Sequence, residues 1–266
     1  MTPRTSTAPQ PTGPDATTEA YAEEQERVNA RKTHDFLLPL IRRTESHRVL
    51  DVGCGVGTMV RALLEEGFDA YGSDLPGLER FWSRNSRARD RFAAVDALNM
   101  KLPFADGSVD FAYTFGVIEH VGTTDGHADR RPDHHEIRRR WLREIWRTVR
   151  PGGHLLVAGP NRTFPVDVAH GPDSRASRFG KWFASRYGAT LHATWGENFL
   201  WSYGDVRRYL DGLPYELEAL NPGAYIGYSR VPSAVRLLVK AYVASIPTAL
   251  LDSGLNPWVM ALLRKS

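Results

Sequence analysis

The sequence predicts an α/β fold built on a mostly parallel sheet with helices on both faces. Three observations carry that prediction. Short β-branched runs alternate with helical patterns along most of the chain. A glycine-rich turn, Gly53-x-Gly55-x-Gly57, joins the first such run to a helix. The distinctive residues then fall at strand ends: Gly53 to Gly57, Asp74, Asp96, Phe115 to His120, and Pro160 to Arg162. Ligands of parallel sheets bind beyond the carboxyl ends of the strands, so this placement is the first pointer to a site.

Taken in order, residues 1–18 are rich in Thr, Pro and Ala without an apolar core and read as a disordered tail. A helix is expected from about Glu19 to Arg43, interrupted near Pro39. Arg48-Val-Leu-Asp-Val52 reads as the first strand, and Thr58 to Glu66 as a helix stopped by Gly67. Ala70 to Asp74, Phe92 to Asp96 and Val109 to Phe115 read as strands two to four. Between Pro132 and Arg150 the residues Ile137, Trp141, Leu142, Ile145, Trp146 and Val149 form one apolar helix face, stopped by Pro151-Gly-Gly153. His154 to Gly159 reads as strand five, Tyr203 to Asp211 as a helix, Tyr215 to Leu220 as a strand, and Trp258 to Leu263 as the last strand. Two stretches break the rhythm, about 161–201 and 221–256, and read as insertions in a single domain spanning 19–266.

Composition narrows the classes. With 34 basic against 31 acidic residues the formal charge is only +3, too weak for a nucleic-acid groove. Cys54 is the sole cysteine, which excludes an intrachain disulfide or a cysteine zinc cluster and suits a cytoplasmic setting. The longest apolar stretch, Val231 to Leu251, is broken by Arg236 and Lys240, so no transmembrane helix is expected.

The glycine turn admits either a dinucleotide or another nucleoside. Asp51, two residues before Gly53, would sit poorly beside a pyrophosphate and suits a ligand ammonium, held directly or through water. Asp74 can accept from both hydroxyls of a ribose, with Leu75 beside it. Asp96 can accept from an adenine amino group, with the Ala97 backbone near the ring. A ribose acid alone would fit NAD, but the third acid favours S-adenosylmethionine. An NAD-dependent oxidoreductase and a non-catalytic S-adenosylmethionine-binding module are the competing readings.

The segments Val49-Leu-Asp-Val-Gly-Cys-Gly-Val-Gly57, Asp74, Val95-Asp96, Leu102 to Asp110, Phe115-Gly-Val-Ile-Glu-His120 and Arg150-Pro-Gly-Gly153 together resemble the class I S-adenosylmethionine-dependent methyltransferases, in their small-molecule, methyltransferase-11-like branch. The resemblance covers about Val49 to Asn161. It implies a Rossmann-like seven-stranded sheet ordered 3-2-1-4-5-7-6, the last strand antiparallel, with insertions over the C-terminal strand ends. It also implies that Phe115 flanks the methionine end of the cofactor.

A hydroxyl acceptor must lose a proton, so His120, after the fourth strand, and His170, after the fifth, are the candidate catalytic residues. O-methylation of a small-molecule or lipid-like acceptor, as in biosynthesis, is the favoured chemistry. His134 and His135 read as a solvated helix start. Asp129, Asp133 and Glu136 lack metal-site spacing, and no metal is expected. Cys54 lies inside the turn, which closes a cysteine-nucleophile route to cytosine, and the fourth strand lacks Asn-Pro-Pro-Tyr, which disfavours amino methylation of bases. Phe164, Phe179, Trp182, Phe183, Tyr187, Trp195, Phe199 and Trp201 could enclose an apolar acceptor or form the core of a lid. Arg175, Arg178, Lys181 and Arg186 could attract an acidic group or form a solvated face. The apolar stretch 232–246, flanked by Arg230, Arg236 and Lys240, offers internal packing or contact with a membrane surface. Oligomeric state is not legible.

Overall fold

The computed structural model describes residues 23, 26–83, 88–96, 98, 100–124, 129–172, 176–192, 194 and 199–266. The expected tail, Ala97, Arg175 and Trp195 lie outside the described residues.

Strands β1 (Arg48–Val52), β2 (Asp69–Asp74), β3 (Phe92–Ala94), β4 (Val109–Phe115) and β5 (Val149–Pro160) pair in parallel, in the order β3-β2-β1-β4-β5. A separate antiparallel pair, β6 (Val166–Asp167) with β7 (Thr190–Leu191), lies in the first insertion. β8 (Tyr215–Ala219) and β9 (Trp258–Lys265) complete the main sheet. β9 runs antiparallel between β5 and β8, so the order β3-β2-β1-β4-β5-β9-β8 is the expected 3-2-1-4-5-7-6.

The period-two alternation of the buried strands sends neighbouring residues to opposite faces. Val49, Phe111, Tyr113, Leu156 and Met260 pack with Phe36, Leu37 and Ile41 beneath α1 (Leu38–Arg43). Leu50, Val52, Leu155 and Val157 pack with Trp141, Leu142 and Ile145 of α3 (His134–Thr148) and Val206 and Tyr209 of α5 (Tyr203–Tyr209). Between these helices come α2 (Thr58–Glu65), after the glycine turn, and α4 (Arg178–Tyr187), in the first insertion. α6 (Arg236–Ala244) lies in the second insertion. α5 starts with a reciprocal cap between Ser202 and Asp205.

Several boundaries differ from expectation, each for a local reason. The break near Pro39 is a π-turn, Thr33–Leu37, in which the Leu38 N–H reaches the Thr33 carbonyl; the chain then re-enters the α-helix with Pro39 near its start. α3 stops at Thr148, and Val149 to Gly153 belong to β5 rather than to a helix stop. Val149 pairs with Val109, and a bulge follows. A Cβ at Gly153 would come within 2.8 Å of the Asp110 carbonyl, so the strand can pass there only with glycine. β3 ends at Ala94, which leaves Asp96 two residues beyond it.

The first insertion divides its aromatic residues. Phe199 and Trp201 are fully buried, whereas Phe179, Trp182 and Tyr187 on α4 are exposed together with Arg178, Lys181 and Arg186. That face of α4 is solvated rather than wrapped around a ligand. His134 is buried, not solvated as expected, and its Nδ1 hydrogen-bonds the Arg131 carbonyl at 2.9 Å. Burial lowers its pKa to about 4.

Candidate active site

The glycine turn is tied to the end of β2. Gly53 and Cys54 donate their N–H groups to the Ser73 carbonyl at 2.8 and 3.1 Å, and the Gly55 N–H donates to Asp74 Oδ2 at 2.5 Å. Gly53 and Gly57 have φ of +87° and +82°, which favours glycine. Space demands it as well, although the crowding groups belong to the protein. A Cβ at Gly53 would lie 2.3 Å from Val117 Cγ2, and one at Gly57 would lie 2.6 Å from the Phe92 ring.

Asp74 also accepts the Leu75 N–H, at 2.7 Å through Oδ1. Each carboxylate oxygen keeps a second acceptor site, so two ribose hydroxyls can be added without breaking the turn. Burial raises the Asp74 pKa, against the two backbone donors that lower it. A cleft of about 40 Å³ runs from Gly53 and Asp74 along Leu75, Val95, Met100, Val117 and Trp141. That is less room than a nucleoside fills. Asp96 is exposed, and its Oδ1 accepts the Leu98 N–H at 2.9 Å. It does not line the cleft in this conformation.

Asp51 is buried on the face of β1 that meets the N-terminal helix. The Tyr113 hydroxyl donates to its Oδ2 at 2.9 Å. Burial pushes the Asp51 pKa up to about 7, opposed by the Tyr113 hydrogen bond and by the charge of Lys32. Burial likewise pushes Lys32 down to about 8, opposed by the charge of Asp51. The Lys32 ammonium stands 4.8 Å from the centre of the Phe115 ring. Phe115 stacks on Tyr225 with centroids 5.9 Å apart and planes 6° apart. A buried carboxylate, a cation and an aromatic wall thus converge where the methionine end of a cofactor was expected. These donors fit a nucleoside carrying an ammonium and a carboxylate.

Beyond Phe115 opens a second cavity of about 380 Å³. Phe115, Tyr225 and Trp258 form aromatic walls, while Glu119, His120, His170 and Arg230 supply polar ones. Both candidate histidines are therefore brought to one cavity, with ring centroids 5.3 Å apart. His170 Nδ1 pairs with Asp167 Oδ2 at 2.9 Å, and His170 Nε2 lies 3.8 Å from Glu119 Oε1. Burial would lower the His170 pKa, but Asp167 and Glu119 together raise it, while its two histidine neighbours help to hold Asp167 well below the usual carboxylate range. A largely apolar groove of about 340 Å³ adjoins this cavity and shares Pro160, Val168 and Trp258 with it.

Sequence reasoning missed Lys32, Glu119, Asp167 and Tyr225. Asp167 and His170 are three residues apart and could have been read as a pair; Lys32 and Tyr225 carry no local signal. Asn161 and Arg162, at the end of β5, serve the scaffold. The Asn161 amide donates to the Ser253 and Asn256 carbonyls at 3.0 and 2.8 Å, and Arg162 pairs with Asp205 at 3.3 Å.

The family model described as a methyltransferase domain matches residues 21–208. The chain is 30% identical over 152 residues to a glycine N-methyltransferase of Rattus norvegicus, covering 53% of this chain and 49% of the relative. It is 31% identical over 123 residues to a ubiquinone biosynthesis O-methyltransferase of Sinorhizobium medicae, covering 45% and 43%. The chain thus spans about half the length, or less, of these curated relatives. The solved structure of the PH0226 protein from Pyrococcus horikoshii has the same fold, with a TM-score of 0.52, 14% identity, and coverage of 93% of this chain and 99% of that one. With a glycine turn closed by the β2 carboxylate, a sheet in the expected order and a family model spanning most of its length, the chain belongs to the methyltransferase-domain family, of the class I S-adenosylmethionine-dependent kind.

Proposed function

We propose that this protein transfers the methyl group of S-adenosylmethionine to an oxygen of a small, partly apolar acceptor. The observation that carries the reading is the 380 Å³ cavity between Phe115 and the Glu119, His120 and His170 cluster, next to the predicted methionine end of the cofactor. In this reading Asp74 holds the ribose, the backbone of Gly53 to Gly57 lies along the homocysteine part, and Asp51 faces the ammonium. The sulfonium brings a methyl already activated for attack. The chain's own task is to align the acceptor oxygen with the S–CH₃ bond, exclude water from the sulfonium and assist loss of the acceptor's proton. Glu119, His120 and His170, at the polar wall, are the groups placed to assist loss of that proton.

Calorimetry with S-adenosylhomocysteine and with NAD tests the cofactor assignment. The expected result is binding of the first and not of the second. Asp74→Ala should weaken S-adenosylhomocysteine binding by at least ~1.5 kcal/mol, about tenfold, the lower end for a hydrogen bond to a charged group. Unchanged affinity would remove Asp74 from the site.

The apolar groove supports an acceptor with a hydrocarbon part, and α6 supports delivery from a bilayer surface. Leu237 and Leu238 are 82% and 72% exposed, and Arg230 and Arg236 lie nearby in the chain. No helix among the described residues is long and apolar enough to cross a membrane, so the contact in this reading is peripheral. The double variant Val235→Ser/Leu237→Ser leaves the groove walls intact. It should reduce co-sedimentation with anionic phospholipid vesicles by roughly tenfold or more, given about 1.5–3 kcal/mol for each fully buried large apolar side chain. Equal sedimentation would remove this helix from the membrane reading.

A further inference from the structure

The polar wall of the acceptor cavity is assembled from two distant stretches of chain. Glu119 and His120 follow β4, and His170 follows β6. One carboxylate oxygen of Glu119 and one ring nitrogen from each histidine lie within 4.8 Å of one another. Glu119 is almost fully buried, and the Trp201 indole N–H donates to its Oε2 at 3.3 Å. Its Oε1 is the oxygen that faces His170 Nε2.

His170 is braced from behind. With Asp167 against Nδ1, a ring proton on Nδ1 satisfies that pair, and Nε2, on the Glu119 side 3.8 Å from Oε1, is the nitrogen that would meet an ion. Asp167 is itself fixed: it is buried, its Oδ1 accepts the Ala169 N–H at 2.7 Å, and its Oδ2 lies 3.5 Å from His192 Nε2. A carboxylate holding the far nitrogen of a histidine is the outer shell that metal-binding histidines carry. Two imidazoles and one carboxylate suit a first-row divalent ion such as Zn²⁺, Mn²⁺ or Fe²⁺. Ligand atoms around such an ion sit roughly 3.3 Å apart in tetrahedral geometry, so side-chain adjustments of an ångström or so would close the set.

We propose that Glu119, His120 and His170 bind one divalent transition-metal ion, with Asp167 as the positioning residue for His170, and that the acceptor's oxygen completes the coordination. This deepens the function proposed above, on which it rests, by supplying the means of acceptor activation. The ion lowers the pKa of a hydroxyl placed on it. The hydroxyl proton leaves to water at the open side of the cavity, and the oxygen lone pair forms the O–CH₃ bond. The S–CH₃ bond breaks, and its electron pair stays on sulfur to give neutral S-adenosylhomocysteine. No electron is gained or lost by the metal.

The test uses the full chain, stripped with a chelator and dialysed. Mn²⁺ is titrated with detection of free ion by electron paramagnetic resonance, and Zn²⁺ by calorimetry. One saturable site per chain is expected. Glu119→Gln and His170→Ala should each weaken binding by at least roughly 100-fold, and Asp167→Asn by about 10–100-fold, as outer-shell changes do. Circular dichroism and S-adenosylhomocysteine calorimetry on the same variants separate loss of the ion from loss of the fold or of the cofactor site. His135→Gln should bind as the parent does. No saturable site, or a site lost in His135→Gln but kept in Glu119→Gln, overturns the proposal; His170 paired with Asp167 would then act as a metal-free base. S-adenosylhomocysteine binding without metal binding refutes only this inference, whereas absence of both refutes the cofactor reading as well.

Discussion

Replacing Arg138 by alanine should lower the unfolding free energy by about 3–5 kcal/mol, measured by urea titration. Arg138 is fully buried on α3, where a charged side chain can persist only if its donors are satisfied. Its Nε donates to the Val121 carbonyl at 3.0 Å, Nη2 donates to the Glu119 and Phe199 carbonyls at 2.7 Å each, and Nη1 reaches the Leu200 carbonyl at 3.4 Å. Truncation strands several carbonyls in a water-poor interior, at about 1–3 kcal/mol for each one left unpaired. Arg138→Lys should recover little of the loss, because an ammonium cannot reproduce the planar fork that joins carbonyls on two loops. A loss below ~1 kcal/mol would mean that water takes over these contacts. Arg138 also holds the Glu119 backbone in place, so the partly destabilised variant should show a loosened acceptor wall before it unfolds.

Affinity for S-adenosylhomocysteine should fall as the pH drops below about 7, and Asp51→Asn should weaken it by roughly 100-fold or more at pH 8. Binding an ammonium requires Asp51 ionised, and burial holds its pKa at about 7. Below that value each binding event must expel a proton, which sets a limiting slope of about tenfold per pH unit. The magnitude for Asp51→Asn follows from leaving a buried cation without its partner, about 3 kcal/mol at the low end. The variant should also lose this acid-side dependence. A pH profile identical in parent and variant would show that the ammonium lies elsewhere.

Asp51 and Lys32 also load the unliganded fold. Asp51 has a raised folded pKa, so its contribution to stability is fully present below the ordinary unfolded value and is lost as the pH rises through about 7. Lys32 has a depressed folded pKa, so its contribution is present above its unfolded value and is lost as the pH falls through about 8. Between these values both are charged and buried. In the proposed reading, a ligand that brings an ammonium and a carboxylate shares that load, so its binding should raise the stability of the N-terminal helix against the sheet.

The parts of the site legible in the sequence are those written in short range. Gly53, Gly55 and Gly57 follow a strand, Asp74 ends the next, and Phe115 to His120 ends another; each signal sits within a few residues of the element that presents it. Asp96 was legible as an acid after strand three, but the strand stops at Ala94 and the carboxylate turns back on Leu98. The turn at Gly53 was legible as a place of close backbone approach, and the structure shows that Val117 is the side chain packed against it.

By itself the sequence determined the strands, the helices between them and the turn that joins β1 to α2, because periodicity, caps and glycine chemistry act between near neighbours; the strand order came only from the resemblance those motifs carry. Tertiary structure alone decided that Lys32 meets Asp51, that Glu119 and His120 meet His170 across some fifty residues, and that α4 turns its aromatics to solvent. Those outcomes depend on how separate elements pack, and on which buried charge finds a partner there. Local pattern carries no record of that choice.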